Sequence, residues 1–292
     1  MLRNSTDVRT LAYLAFTVGL SIVQWRMHTF NPALYLLALF MAVTVAVISH
    51  NTNHVQMWKS KPLNLFTRYV IALYYGHPAV AWVPTHNQVH HKLVNRPGDS
   101  SRGPKWFKTS HLAALLVYPS LTGIEQGRDI KAYFKRTRHE KPEQFWSALS
   151  EYVVFFGVMA GLLLLDWKKA ILFFVIPQQF SIFVIQIFNY VQHVEAEEGS
   201  RWNHSRNFVS PVLNALLFNN GYHTVHHLKP GVHWSDVPKL HAEYVHEISP
   251  ALLERSWWAY MGSRFLLHRK PPAIGVAPEL DASVEPAVPS AQ

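Results

Sequence analysis

The stretch His86-Asn87-Gln88-Val89-His90-His91 sets three histidines within six residues, close to the end of an apolar segment. Imidazole binds iron, copper and zinc, and it does so as the neutral ring that exists near pH 7. Half of the eighteen histidines of the chain stand in four groups, each at the end of an apolar segment: His50, His54, His86, His90, His91, His193, His223, His226 and His227. A protein-bound zinc ion takes three or four such ligands, so these nine histidines predict two metal ions.

The spacing within each group predicts which histidines share a helix face. His50 and His54 are four residues apart, as are His86 and His90, and this spacing stacks two side chains one turn apart. His91 is turned about 100° from His90, towards a second metal ion. His223, His226 and His227 are expected to form one stripe. Because each group lies where a hydrophobic segment ends, we expect all four groups on one side of a membrane, at similar depth.

Composition indicates a membrane protein. Apolar and aromatic residues make up 49% of the 292 residues and charged residues 15%, whereas soluble domains carry about 25% charge. The absence of cysteine excludes disulfides and any cysteine-ligated iron–sulfur cluster in the chain. The net charge of +9 is uneven: residues 50–146 hold 14 Lys/Arg and 5 Asp/Glu, and residues 190–292 hold 8 Lys/Arg. This asymmetry places both polar regions in the cytoplasm, and it argues against nucleic acid as the partner.

Four apolar stretches approach the length of about 20 residues that a bilayer requires. The predicted fold is therefore an all-α membrane protein, with about four transmembrane helices in two hairpins. A cytoplasmic helical cap carries the four histidine groups, here called the histidine boxes. Two further apolar stretches, Leu63–Tyr75 and Leu112–Leu121, are too short to span and are expected in the interface or over the site. We expect one domain over residues 1–270 and a disordered tail over 271–292. The four predicted spans are Leu11–Trp25, Pro32–Ser49, Tyr152–Leu165 and Ala170–Phe188.

The four groups resemble the histidine boxes of the integral-membrane fatty acid desaturase and hydroxylase superfamily, in the same order, over roughly His50 to Pro238. The resemblance implies that the nine histidines hold two non-haem iron ions (Fe2+/Fe3+), with O2 as co-substrate. Such a centre takes hydrogen from unactivated methylenes of a lipid acyl chain, and no catalytic residue beyond the metal centre is implied. Asn189 resembles the asparagine that acyl-CoA desaturases place near one iron through a water molecule.

The boxes do not all favour the same member of the superfamily. Three residues separate His86 from His90, Asn189-Tyr190 precedes His193, and Pro97–Arg102 follows the second box, which is similar to membrane alkane hydroxylases. The last box, Gly221–His227, is closer to desaturases. The favoured interpretation is a fatty acyl desaturase. Alkane or fatty acyl hydroxylation and desaturase-like formation of a terminal alkene are the alternatives.

Functions of other classes fit less well. A membrane transporter usually places ionisable residues near the bilayer midplane, and the predicted spans contain almost none. A zinc hydrolase needs about three ligands and an activated water, and the chain has no HExxH motif.

Residues near the boxes give further expectations. Arg201, Trp202 and Arg206 are candidates for binding a lipid head group, since arginine suits anions. Asp99, Glu195, Glu197 and Glu198 are either partners that orient histidines or solvated loop charges, and His233 is not expected to be a ligand. The chain offers no redox module of its own. A separate electron donor (a ferredoxin, a rubredoxin or a cytochrome b5-like protein) is therefore expected, with an acidic surface that docks on the basic cytoplasmic face.

Overall fold

The computed structural model describes residues 1–103 and 110–275, and this part of the chain is mostly helical. Short 3-10 turns lie at Ala79–Ala81, Val245–Glu247 and Pro250–Leu252, and π-helical segments at Val83–His90, Ile171–Val175 and Gly262–Leu266. The α-helices are α1 (Asp7–Arg26), α2 (Pro32–His54), α3 (Lys61–Tyr75), α4 (His91–Leu93), α5 (Leu112–Glu140), α6 (Pro142–Ala170), α7 (Ile176–His193), α8 (Pro211–Leu216), α9 (His223–Leu228), α10 (Val237–Tyr244) and α11 (Trp257–Met261).

Three helical segments of the described residues are long and apolar enough to cross a membrane: α1, α2 and the continuous stretch Pro142–His193. Helix α2 begins where Asn31 accepts a hydrogen bond from the backbone of Leu34 and Pro32 occupies the first turn, a favourable helix start. The stretch Pro142–His193 is 52 residues long and includes both segments of the predicted second hairpin. Its backbone is not helical at Asp166, where the connection between those two segments was expected. The chain is thus a mostly helical membrane protein.

The described chain forms two compact units whose segments alternate along the sequence. The first unit comprises residues 1–88 and 123–186. In it, α2 packs on α1 and α3, and α3 packs on α6. A hydrophobic cluster of Ala72, Phe155, Met159 and Phe174 fills part of its core. Because the middle of α2 is buried on all sides, from Met41 to His50, this helix is central to the unit.

The second unit comprises residues 89–122 and 187–292, of which 104–109 and 276–292 lie outside the described residues. Its main cluster includes Tyr118, Phe188, Phe208 and Tyr260. Two short parallel strands, β1 (Asn207–Phe208) and β2 (Leu253–Glu254), join the loop after α7 to the segment before α11. A Cβ atom at Gly221 would lie 2.1 Å from the carbonyl oxygen of Phe208, so only glycine fits here.

The apolar stretch Leu112–Leu121 forms the first part of α5, which continues to Glu140 and is not among the candidate spans of the described residues. The polar stretch after Leu121 is rich in residues with high helix propensity, such as Gln126, Lys131 and Lys135, and it extends the helix. The predicted Leu63–Tyr75 helix agrees with α3. Most of the tail predicted over 271–292 lies outside the described residues, so its disorder stays a prediction.

Candidate metal centre

Four histidines of the second unit form one buried cluster. His90 ends a π-helical segment, His193 ends α7, and His223 and His227 stand one turn apart on α9. One ligand nitrogen from each lies within 4.8 Å of the others. The contacts between their Nε2 atoms are short: 3.0 Å for His90–His193, 2.9 Å for His193–His223 and 3.0 Å for His223–His227.

The other nitrogen of two of these rings determines which tautomer is present. His90 Nδ1 donates to the Asp99 carboxylate at 2.7 Å, and His193 Nδ1 donates to the His204 carbonyl at 3.1 Å. A neutral ring that donates at Nδ1 carries a lone pair at Nε2. The lone pairs of His90 and His193 therefore face each other at 3.0 Å. Two such atoms repel one another unless a cation binds both, so this cluster fits a metal ion.

Asp99 is held in place by the loop that follows α4. Val94 and Asn95 have positive φ angles of 44° and 65°, so the chain turns sharply after the second box. This turn lets the backbone N–H groups of Asn95 and Ser101 donate to the two carboxylate oxygens at 2.9 and 2.8 Å. Burial alone would raise the pKa of Asp99. The hydrogen bonds from His90 and from the two backbone N–H groups favour the carboxylate form, and the pKa of Asp99 lies below its ordinary value.

Burial keeps the rings around this cluster neutral. Desolvation, with neighbouring histidines, lowers the pKa of His227 well below its ordinary value. The pKa of His204 falls to about 4, chiefly through desolvation, although carbonyl groups of Arg201 and Ser200 accept from its Nδ1. Because a metal ion competes with protons for imidazole, neutral rings bind it without first losing a proton.

The first unit contains a second group of three histidines. His50 Nε2 lies 2.9 Å from His86 Nε2, and the His54 ring centroid lies 5.0 Å from that of His50. His50 Nδ1 contacts the Asn51 side-chain oxygen at 3.1 Å, which again leaves the lone pair on Nε2. Trp82 packs edge-on against His50 and His86. This group presents three imidazoles to one point.

The remaining two histidines, His91 and His226, pair in the second unit, with their Nε2 atoms 3.0 Å apart. His223, His226 and His227 share one stripe of α9, as their spacing predicts, with the His223 ring centroid 5.6 Å from that of His226 and 4.5 Å from that of His227. His226 joins the pair with His91, while the other two join the four-histidine cluster. His86 and His90 also belong to different groups. The segment that carries them, Val83–His90, is π-helical.

The other predicted site residues lie as follows. Asn189 donates to the Tyr118 hydroxyl at 2.9 Å, and Tyr118 in turn donates to the Ser101 carbonyl. Trp202 is buried beside Tyr244, and Arg201 is exposed over the Trp202 ring.

Arg206 does not fit the predicted role in head-group binding. It is 2% exposed, and its guanidinium donates to the carbonyls of Val191 and Val194 at the end of α7. Arg264 pairs with Glu195 just after His193. Both arginines satisfy groups at the end of the helix that carries His193. From the sequence, these two arginines could be recognised only as two of the basic residues in the regions assigned to the cytoplasm.

Among the four acidic residues considered as histidine partners, Asp99 contacts His90, whereas Glu198 pairs with Arg102 and Glu197 contacts Asn203. His233 contacts Ser235 and stands outside both histidine groups of the described chain.

Comparison with curated proteins gives no match for this chain. The family described as Fatty acid desaturase matches residues 25–261, which include all nine histidines of the boxes and most of the chain. This agrees with the membrane-spanning helices and with the histidine clusters. The chain belongs to the fatty acid desaturase family, whose members are oxidoreductases of lipid chains.

Proposed function

We propose that the protein is a fatty acyl desaturase in which the nine box histidines hold two iron ions. The observation that carries this proposal is the pair of opposed Nε2 lone pairs of His90 and His193, fixed by the Nδ1 contacts to Asp99 and to the His204 carbonyl. Without a cation these atoms repel, so the fold is built around one. The family gives the chemistry in which such a centre is used.

Iron rather than zinc is proposed because zinc has no redox chemistry, whereas the family's reaction is an oxidation. All donors are imidazoles, which suit iron, copper and zinc alike, and the chain has no cysteine. When bound, the two irons supply the oxidising power that removes hydrogen from an unactivated methylene with the help of O2. The chain's own residues hold the metal ligands and orient their rings. Asp99 fixes the His90 ring, the His204 carbonyl fixes the His193 ring, and the burial of both ligands excludes water. Asn189 is proposed to contact one iron through a water molecule.

We further propose that the chain crosses the membrane four times. A straight helix of 52 residues would be about 78 Å long, at about 1.5 Å per residue. The hydrocarbon core of a bilayer is about 30 Å thick, so Pro142–His193 fits two passes better than one. The non-helical backbone at Asp166 provides the turn between them. Because 22 of the 27 Lys/Arg residues lie within residues 50–146 and 190–292, this topology is proposed to put the metal centre on the cytoplasmic side.

An external electron donor is needed, and we propose that it docks on the basic face of α5. Arg128, Lys131, Lys135 and Arg138 are exposed, and their spacing puts them within about 80° of one another on the helix. The opposite face buries Tyr133 and Thr137. Such a stripe attracts an acidic carrier by long-range electrostatics, which weaken as salt rises. A small ferredoxin, rubredoxin or cytochrome b5-like protein has the required size and chemistry.

Hydroxylation of an alkyl or acyl chain is the second candidate. Its support is the three-residue spacing of His86 and His90 with the Asn189-Tyr190 lead-in to His193, which are similar to alkane hydroxylases. Both reactions begin by removing one hydrogen from the chain. They differ in whether the neighbouring carbon then loses a hydrogen or the radical gains oxygen.

The test is mass spectrometry of total lipids from cells that express the protein, with a His226→Ala variant as the matched inactive control. Fatty chains lighter by two hydrogens, absent from the control, are expected. Chains heavier by one oxygen would favour the hydroxylase. Identical lipids in both cultures, in the presence of a reconstituted electron donor, would contradict the proposal.

A further inference from the structure

The second unit exposes large apolar side chains on four of its elements. Leu116 on α5 is 62% exposed, Val212 on α8 is 69% exposed and Trp258 on α11 is 82% exposed. Leu266 and Leu267, at the end of the π-helical segment after α11, are 67% and 64% exposed. None of these residues belongs to a segment long and apolar enough to span a membrane.

These elements pack their inner sides on one hydrophobic cluster. Leu115 of α5, Leu213 of α8, and Tyr260 and Phe265 at the C-terminal end all belong to it or pack against it. Trp257 stacks on Phe188 with ring centroids 4.5 Å apart and an interplanar angle of 6°. The elements that carry the exposed residues are therefore held in place by a packed core, and these five residues together are here called the outer apolar surface.

The charge around the C-terminal part of this surface has one sign. From Arg255 to Lys270 the chain contains four Lys/Arg and no Asp or Glu. Arg264 is buried and paired with Glu195, whereas Arg255, Arg269 and Lys270 are exposed. An exposed tryptophan and two leucines flanked by exposed basic residues are typical of a segment that lies in the plane of a membrane surface.

We propose that the outer apolar surface of the second unit binds an anionic phospholipid bilayer, with Trp258, Leu266 and Leu267 inserted at the headgroup level. Three observations select lipid as the occupant. The chain has spanning helices, so a bilayer is beside every copy. The basic residues complement anionic head groups. Exposed apolar patches of this kind on soluble surfaces mark membrane or protein contacts.

This contact has a direct structural consequence for the four-histidine cluster. The cluster beneath the surface includes Tyr190, Val191 and Val194, which flank His193 in the chain. Bilayer contact would thus fix the end of α7 that carries one ligand. The inference goes beyond the proposed reaction, because it holds whichever oxidation the metal centre performs.

The test uses the absence of cysteine, which makes any introduced cysteine a unique labelling site. Leu266→Cys is the test variant, and Lys239→Cys, at an exposed polar position of α10 in the same unit, is the matched control. Each carries a nitroxide spin label in nanodiscs of phosphatidylglycerol or of phosphatidylcholine. Power-saturation electron paramagnetic resonance then compares collisions with O2, which concentrates in lipid, and with a water-soluble nickel complex.

The label at 266 is expected to collide preferentially with O2, and the label at 239 with the nickel complex. Reversing the charge with Arg269→Glu and Lys270→Glu should reduce the O2 preference at 266 in phosphatidylglycerol and leave it unchanged in phosphatidylcholine. Preference for the nickel complex at 266 would overturn the proposal. Protection from both reagents would also overturn it. Dipolar coupling between labels would then show that a second copy covers the surface, and its absence would show that another segment of the chain does. None of these readouts needs metal or turnover.

Discussion

Replacing Asp99 by asparagine is expected to weaken metal binding at the four-histidine cluster by about 100-fold. Partners that orient metal-bound histidines contribute 10–100-fold to metal affinity, and tenfold is about 1.4 kcal/mol. The structure places Asp99 at the upper end of this range, because it is buried and accepts from three donors: His90 Nδ1 and the backbone N–H groups of Asn95 and Ser101. Asparagine has one acceptor oxygen and two N–H donors. It therefore leaves at least one of the buried donors without an acceptor, and it removes the charge.

The assay is competition between the purified protein and a chelator of known iron affinity, under anaerobic conditions. Glu151→Gln is the matched control. Glu151 is fully buried and accepts from the Arg68 side chain at 2.7 Å and from the Val80 N–H at 2.9 Å, so its replacement also leaves buried donors unpaired. The control should lower the unfolding temperature and leave the iron affinity within about twofold.

An Asp99→Asn protein with unchanged iron affinity would refute the reasoning. Equal losses of affinity in both variants would also refute it, because the effect would then come from general destabilisation. Thermal unfolding of the metal-free variants separates these cases. A folded metal-free Asp99→Asn protein is required for the affinity measurement to count.

Three further predictions concern stability, pH and electron transfer. Gly221→Ala should destabilise the protein by about 1–3 kcal/mol or more, because the new Cβ would lie 2.1 Å from the Phe208 carbonyl oxygen; Gly231→Ala, with no atom within 4 Å, is the control, and equal unfolding temperatures would contradict the prediction. The pKa of His204 is about 4 in the folded chain against an ordinary 6.5, so the unfolded state binds the extra proton and stability falls as pH drops from 6.5 to 4, by roughly 3 kcal/mol. His204→Gln should flatten the pH dependence of the free energy of unfolding between pH 4 and 6.5, whereas replacing the exposed His246 by Gln should not. An unchanged slope in His204→Gln would contradict the predicted role of His204. Lys131→Glu with Lys135→Glu should raise KM for an acidic electron donor and weaken its salt dependence, with Lys239→Glu as control; no change in KM would rule out docking on α5.

The sequence was sufficient to predict that the box histidines cluster, because the spacing of histidines on one helix depends only on local geometry. His50 with His54 and His223 with His227 are four residues apart on α-helices and stay together in the structure. The partition of His86 and His90 could not be predicted in this way. Their segment, Val83–His90, is π-helical, and the letters His-Asn-Gln-Val-His-His do not reveal this backbone.

The residues that orient the ligands were harder to identify, because their roles depend on loop geometry. Asp99 was one of four acidic candidates, and the positive φ angles of Val94 and Asn95 bring it to His90. Arg206 was expected at the surface, where arginine is commonest. Its burial follows from the free carbonyl groups at the end of α7, which need donors. Long-range contacts of this kind leave no periodic signal in the sequence.

The most direct test of the central claim is metal analysis of the purified protein after anaerobic incubation with ferrous iron. We predict two iron ions per chain in the unaltered protein and a clear loss of iron in His90→Ala, with the variant still folded and still in the membrane. Retention of zinc in preference to iron, or the same iron content in His90→Ala as in the unaltered protein, would contradict the claim that the opposed histidine lone pairs of this cluster are built to hold iron.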